Sequence, residues 1–195
     1  MRVVGLCGSL RKASCNGGLL RSFEEVLKTK HGIILEVVPI GGLPLFNEDL
    51  EASSCLASVK AFRESLAKAD GMVFATCEYN ASISAALKNA IDWGTRGVNL
   101  FNNKAAVVAG AGGFAGTTKA QSHLREILQG INCHAMTHPE LRIEIFKSPR
   151  PFDGATGDLV CERTKTRVEW TMAAYAQYLA MVRGAKLDAV GYRPA

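Results

Sequence analysis

The stretch RVVGLC (2–7), followed by GSLRKASCN (8–16), decides how the chain is read. RVVGLC is a short apolar run of strand-forming residues, as expected of a strand buried on both faces. GSLRKASCN then crowds two serines, Arg11, Lys12 and Asn16 into a single turn. Beyond it, Leu19, Leu20, Phe23 and Leu27 recur at helical spacing, so residues 16–30 read as a helix. The unit is therefore strand, polar turn, helix. Ser9, Ser14 and Asn16 can each donate a hydrogen bond, and Arg11 adds a planar cationic fork suited to phosphate oxygens. The start of the following helix presents N–H groups without intrahelical partners, which favours an anion. The turn reads as a phosphate cradle. A local alternative is that Ser14 or Asn16 only caps the helix. That accounts for one residue and leaves Ser9, Arg11 and Lys12 unexplained. Neither GxxxxGK[ST] nor GxGxxG occurs here.

Working outward, the same alternation continues. Strands are expected at 34–40, 71–77 and 104–110, with a fifth opening at CHAMTH (133–138). Helices are expected at 54–69, 83–93, 117–129 and 158–183, with a Gly/Pro-rich loop at 41–51 and a polar loop near 147–157. Strand and helix in alternation imply an α/β fold: a five-stranded parallel sheet with helices on both faces. No repeat, linker or low-complexity tract divides it, so residues 1–195 read as one domain. In such sheets ligands bind outside the carboxyl ends of the strands, at the topological switch point. The loops after the first, third and fourth strands are then the candidates for chemistry.

Composition narrows the classes. With 48% hydrophobic and 21% charged residues the chain is globular rather than disordered. Its net charge of +5 is scattered among acidic residues, so no nucleic-acid stripe is expected. No run approaches the roughly 20 apolar residues of a membrane span, and the N-terminus does not read as a secretory signal. The six cysteines form no CxxC and the four histidines show no metal spacing. Free thiols in a reducing, cytoplasmic compartment are expected. Cys15 stands apart, since a thiol at a helix N-terminus beside cations tends to a lowered pKa; a packing role is the reading preferred. GxSxG is absent, which argues against a hydrolase.

After the third strand come EYNAS (78–82) and LKNAIDW (87–93). Together with GSLRKASCN and LPLFNEDLE (43–51), these segments resemble the NADPH-dependent FMN reductase family, in order and spacing over about residues 1–130. The resemblance implies a flavodoxin-like three-layer sandwich. It implies that Ser9, Arg11, Ser14 and Asn16 hold the FMN phosphate and that Glu78, Tyr79, Asn80 and Ser82 lie against the isoalloxazine ring. The glycine-rich loop after the fourth strand would approach the flavin's pyrimidine end through Gly112 and Gly113, with Phe114 bordering the ring or plugging the loop. Residues 110–115 also fit GxGxxA, but in the fourth βα unit and without the acidic partner of a dinucleotide site. Two departures stand out: Cys77 precedes EYN where the family often has Pro, and Ser84-Ala85 replaces Pro-Gly.

The implied activity is hydride transfer from NADPH or NADH through bound FMN to a small-molecule acceptor: a quinone, an azo compound, a metal oxyanion or free flavin. An electron carrier of the flavodoxin type is the alternative, although such carriers tend to be acidic. A flavin-free scaffold on the same fold is a third reading. A homodimer or homotetramer is implied, with the 41–51 loop and the helix around Trp93 as contact surface. Residues 184–195 read as a frayed tail.

Overall fold

The computed structural model describes residues 1–52 and 56–185, and among them are six strands and six helices, alternating except where α2 precedes α3 and β5 precedes β6. They are β1 (Arg2–Cys7), α1 (Cys15–His31), β2 (Ile34–Val37), α2 (Glu48–Ala52), α3 (Ala57–Ala67), β3 (Gly71–Ala75), α4 (Ala85–Thr95), β4 (Ala105–Gly112), α5 (Thr118–Gly130), β5 (His134–Ala135), β6 (Leu141–Glu144) and α6 (Glu162–Gly184). All named pairings are parallel, in the order β2-β1-β3-β4-β5, with β6 also on β4. This is the flavodoxin-like order, and its switch point lies between β1 and β3.

Two apolar layers sandwich the sheet. Leu19, Leu20, Phe23 and Leu27 of α1 pack with Val168, Met172, Tyr175 and Leu179 of α6 on one face. Val59, Phe62 and Leu66 of α3, Leu87 and Ile91 of α4, and Leu124 and Leu128 of α5 cover the other. The α1 stripe expected from spacing is buried.

Three expectations change. The fifth strand is split: His134–Ala135 pairs with Ala105–Ala106, and Leu141–Glu144 pairs with Ala109–Gly112. Pro139 falls between the two and has no N–H to give a ladder. The 41–51 loop holds a short helix, α2, opened by Asn47, whose Oδ1 accepts from Asp49 N at 2.9 Å. The final helix starts at Glu162, because residues before it form a bridge between Phe152 and Leu159. Part of the expected 54–69 helix, Cys55 and most of the expected tail lie outside the described residues.

The LKNAIDW segment explains the shape of the 43–47 stretch. Asn89 donates to Pro44 O at 2.8 Å and accepts from Phe46 N at 2.7 Å. Trp93 is buried, donates from its indole N–H to Pro44 O at 2.8 Å, and meets the Phe46 ring edge-on at 5.0 Å. These side chains replace the regular pairing that an irregular segment lacks.

Candidate functional site

The carboxyl ends of β1, β3, β4 and β6 surround a small open cleft of about 200 Å³. Eight of the ten sequence-derived site residues line it: Ser9, Arg11, Ser14, Asn16, Glu78, Tyr79, Gly112 and Gly113. Asn80 and Ser82 do not line it; they stand in the adjoining turn. Cys15, Cys77, Ala111, Ile145 and Phe146 complete the wall. A larger cavity of about 650 Å³, lined by α2, α3 and α4, shares no residue with the cleft. Its largely apolar walls lack the phosphate donors gathered after β1.

At the cradle, Ser14 is the N-cap of α1 and its Oγ accepts from Gly17 N at 3.1 Å. Gly18 N is taken by Ser14 O at 2.9 Å. The first N–H groups of the helix, at Cys15 and Asn16, have no intrahelical acceptor and suit an anion. The capping expected of Ser14 or Asn16 thus falls to Ser14. Arg11 is exposed, and among the described residues its guanidinium makes a single long contact, 3.4 Å to Ala13 O, so its charge is available to a ligand.

Asn16 has another task. Its Nδ2 donates to Ala111 O and its Oδ1 accepts from Ala111 N, both at 2.9 Å and both buried. β3 pairs with β4 only as far as Ala75 and Ala109, with one further bond from Thr76 N to Ala109 O. Beyond that point the Asn16 carboxamide stands in for the missing strand. Its side chain is therefore committed to the protein, and only its backbone N–H remains for a phosphate.

After β3, Asn80 (φ 50°) and Ala81 (φ 62°) form a tight hairpin-like turn closed by two 3.0 Å bonds between Tyr79 and Ser82. Positive φ at both central residues matches a type I′ turn. Glu78 turns its carboxylate to the start of α5, accepting from Ala120 N at 2.9 Å, where a negative charge is favoured. Ser82 Oγ lies 3.2 Å from His123 Nδ1. The Ser84 departure has a structural use: its hydroxyl donates to Gly8 O at 2.6 Å and accepts from Leu87 N at 3.2 Å, capping α4 and tying it to the first loop.

The glycine-rich segment divides in two. Gly110 is in β4, where a Cβ would overlap Thr117 and Thr76 O, so close packing accounts for the first glycine of GxGxxA. At Gly113 a Cβ would meet nothing within 4 Å, so that backbone is open to a ligand. Phe114 does not plug the loop: its side chain is 87% exposed.

Burial pushes the Cys15 thiol up, against the opposing Arg11 cation, in keeping with the packing role and not with a lowered pKa. Burial likewise raises Cys7 and Cys77. Ile145 and Phe146 were missed in the sequence. The alternation Leu141, Ile143, Ile145 marks a strand that ends at the cleft, but the fifth strand was placed earlier in the chain.

Residues 1–147 match the model of the NADPH-dependent FMN reductase family. The chain is 40% identical over 186 residues to an NAD(P)H:quinone oxidoreductase of Solanum tuberosum, covering 94% of this chain and 95% of that one. It is 36% identical over 186 residues to an NAD(P)H-dependent FMN reductase of Pseudomonas aeruginosa, covering 94% and 98%. Among solved structures it resembles the flavoenzyme NAD(P)H:(acceptor) oxidoreductase FerB of Paracoccus denitrificans, with TM-score 0.82, 30% identity, and 92% and 97% coverage. The chain belongs to the NADPH-dependent FMN reductase family.

Proposed function

We infer that this chain is an FMN-dependent oxidoreductase that draws electrons from NAD(P)H and delivers them to a small-molecule acceptor, with quinones as the acceptor class. The observation that carries the reading is the convergence of an anion cradle, an open glycine backbone and an exposed tyrosine at one switch-point cleft. The donor set fits FMN. Ser9, Ser14, Arg11 and the N–H groups of Cys15 and Asn16 would hold the phosphate. The backbone of Glu78–Tyr79 and of Gly112–Gly113 would supply the few N–H and C=O groups a flat heterocycle needs. FMN supplies the redox chemistry, accepting hydride from NAD(P)H and passing it on; the protein binds and orients it. The side chains of Glu78 and Asn16 act on α5 and β4 rather than on the ligand, holding the walls of the cleft in place. Asn80 keeps the turn closed, and Ser82 anchors it to His123.

The whole chain, 1–195, acts as one domain in this reading. It works as a homodimer or homotetramer, supported by the apolar groove of Leu50, Leu56, Val59, Trp93 and Leu100 beside the 41–51 segment. No helix among the described residues is long and apolar enough to cross a membrane. The free thiols among the described cysteines suit a reducing, cytoplasmic compartment.

An absorption spectrum of the purified protein, with FMN added and then NADPH without oxygen, tests the function. A bound-flavin spectrum that NADPH bleaches is expected. Bound flavin that neither NADPH nor NADH bleaches would indicate an electron carrier, and absence of flavin binding would refute the cofactor assignment.

A further inference from the structure

We propose that Phe114 and Phe146 form an acceptor shelf, an apolar aromatic wall that selects planar, uncharged ring acceptors of the quinone class over small inorganic anions. The proposal rests on the flavin reading of the cleft. Phe114 lies in the loop just after β4 and Phe146 two residues beyond β6. Their ring centroids are 6.1 Å apart and the planes are inclined at 48°. The two strands pair as far as Gly112 and Glu144, and Ile145 N still bonds Gly112 O at 2.9 Å. The ladder therefore delivers both rings to one place.

Neither ring serves the core. Phe114 is 87% exposed and Phe146 62%. A phenyl ring left in water forgoes the stabilisation that burial provides, and a flat ligand can supply that burial. Phe146 also lines the cleft that holds Arg11, Gly113 and Tyr79. Tyr79, 56% exposed, comes from the far side of β4, after β3. Aromatic side chains from both neighbours of β4 thus flank the ends of the strands. The polar groups of Ser9–Asn16 reach the same cleft from a different strand, β1.

The test is a double variant, Phe114→Ala with Phe146→Ala, made in the FMN-loaded protein. Binding of menadione (2-methyl-1,4-naphthoquinone) to the oxidised holoenzyme is measured by calorimetry without NAD(P)H. Values of kcat/KM are measured with menadione and with ferricyanide, and flavin content by absorption. The shelf requires menadione affinity and kcat/KM to fall about tenfold, the order expected for two lost aromatic contacts. Ferricyanide kcat/KM, taken per bound flavin, should fall much less than that of menadione, and the double Tyr variant should recover menadione binding. Menadione binding within twofold of wild type would overturn the shelf, as would an equal loss with both acceptors. Loss of FMN from the double variant would overturn it too, by placing the rings in the flavin's own site. A wild type that holds no FMN would sink the flavin reading, and the shelf with it.

Discussion

Replacing Asn16 by alanine removes two buried hydrogen bonds at once and tests how the cleft is held together. The carboxamide bonds both polar groups of Ala111 at 2.9 Å, where β4 has outrun its partner β3. Without it, a buried N–H and a buried C=O lose their partners. Each such group costs about 1–3 kcal/mol, and water entering from the adjoining cleft reduces the penalty, so a loss of about 2–4 kcal/mol is expected. Urea unfolding of the FMN-free protein measures it, as a fall in midpoint at constant slope. Asn16→Asp keeps the acceptor for Ala111 N–H but turns a carboxylate towards Ala111 O. It should also weaken FMN binding by placing negative charge at the cradle. A loss below about 0.5 kcal/mol for Asn16→Ala, the range of ordinary surface changes, would refute the view that this side chain replaces a strand.

Other outcomes follow from single contacts. Arg11→Ala should weaken FMN binding about tenfold, from the low end of about 1.5–3 kcal/mol for a hydrogen bond to a charged group; flavin titration reads this, and the thermal midpoint should not move because Arg11 is exposed. Gly18→Ala should destabilise by about 1–3 kcal/mol, since a Cβ there would overlap the carbonyl oxygen of Gly157; an unchanged urea midpoint would contradict that packing. Ala81→Gly should stabilise by about 0.5–1 kcal/mol by relieving a left-handed alanine; a lower midpoint would show that the alanine methyl makes a contact worth more. Acid should loosen the 153–158 loop. The Arg21 hydrogen bond lowers the Asp158 pKa, and bonds from Thr156 and Ala155 lower that of Asp153. Their contribution is present above the unfolded carboxylate pKa, about 4, and is lost as pH falls through the lower folded values. Asp158→Asn should flatten part of the fall in urea midpoint below that pH.

The alternation of apolar strands and amphipathic helices was legible because each signal is local. Leu19, Leu20, Phe23 and Leu27 share a helix face whatever they pack against, and all four are buried. The meeting of Ser9, Arg11, Ser14 and Asn16 at one cleft was legible for the same reason, since they sit within eight residues of one another. The split fifth strand was not. Its segments pair with opposite ends of β4, and only the sheet register joins them. Phe146 was missed with it, being 32 residues from the other ring of its pair and more than 60 from the EYN turn.

Residue types and spacing alone therefore determined the fold class and the switch-point loops. Side-chain roles needed the tertiary structure. Asn16 belongs to the phosphate turn in the sequence, yet its carboxamide completes β4, 95 positions away. Glu78 belongs to the ring segment, yet it serves the N-terminus of α5. Ser84 departs from the usual family residue, yet it caps α4 and fastens Gly8. The physical reason is common to the three. A buried polar group must find a partner, and which partner is near is decided by how the elements pack and not by the residues beside it in the chain.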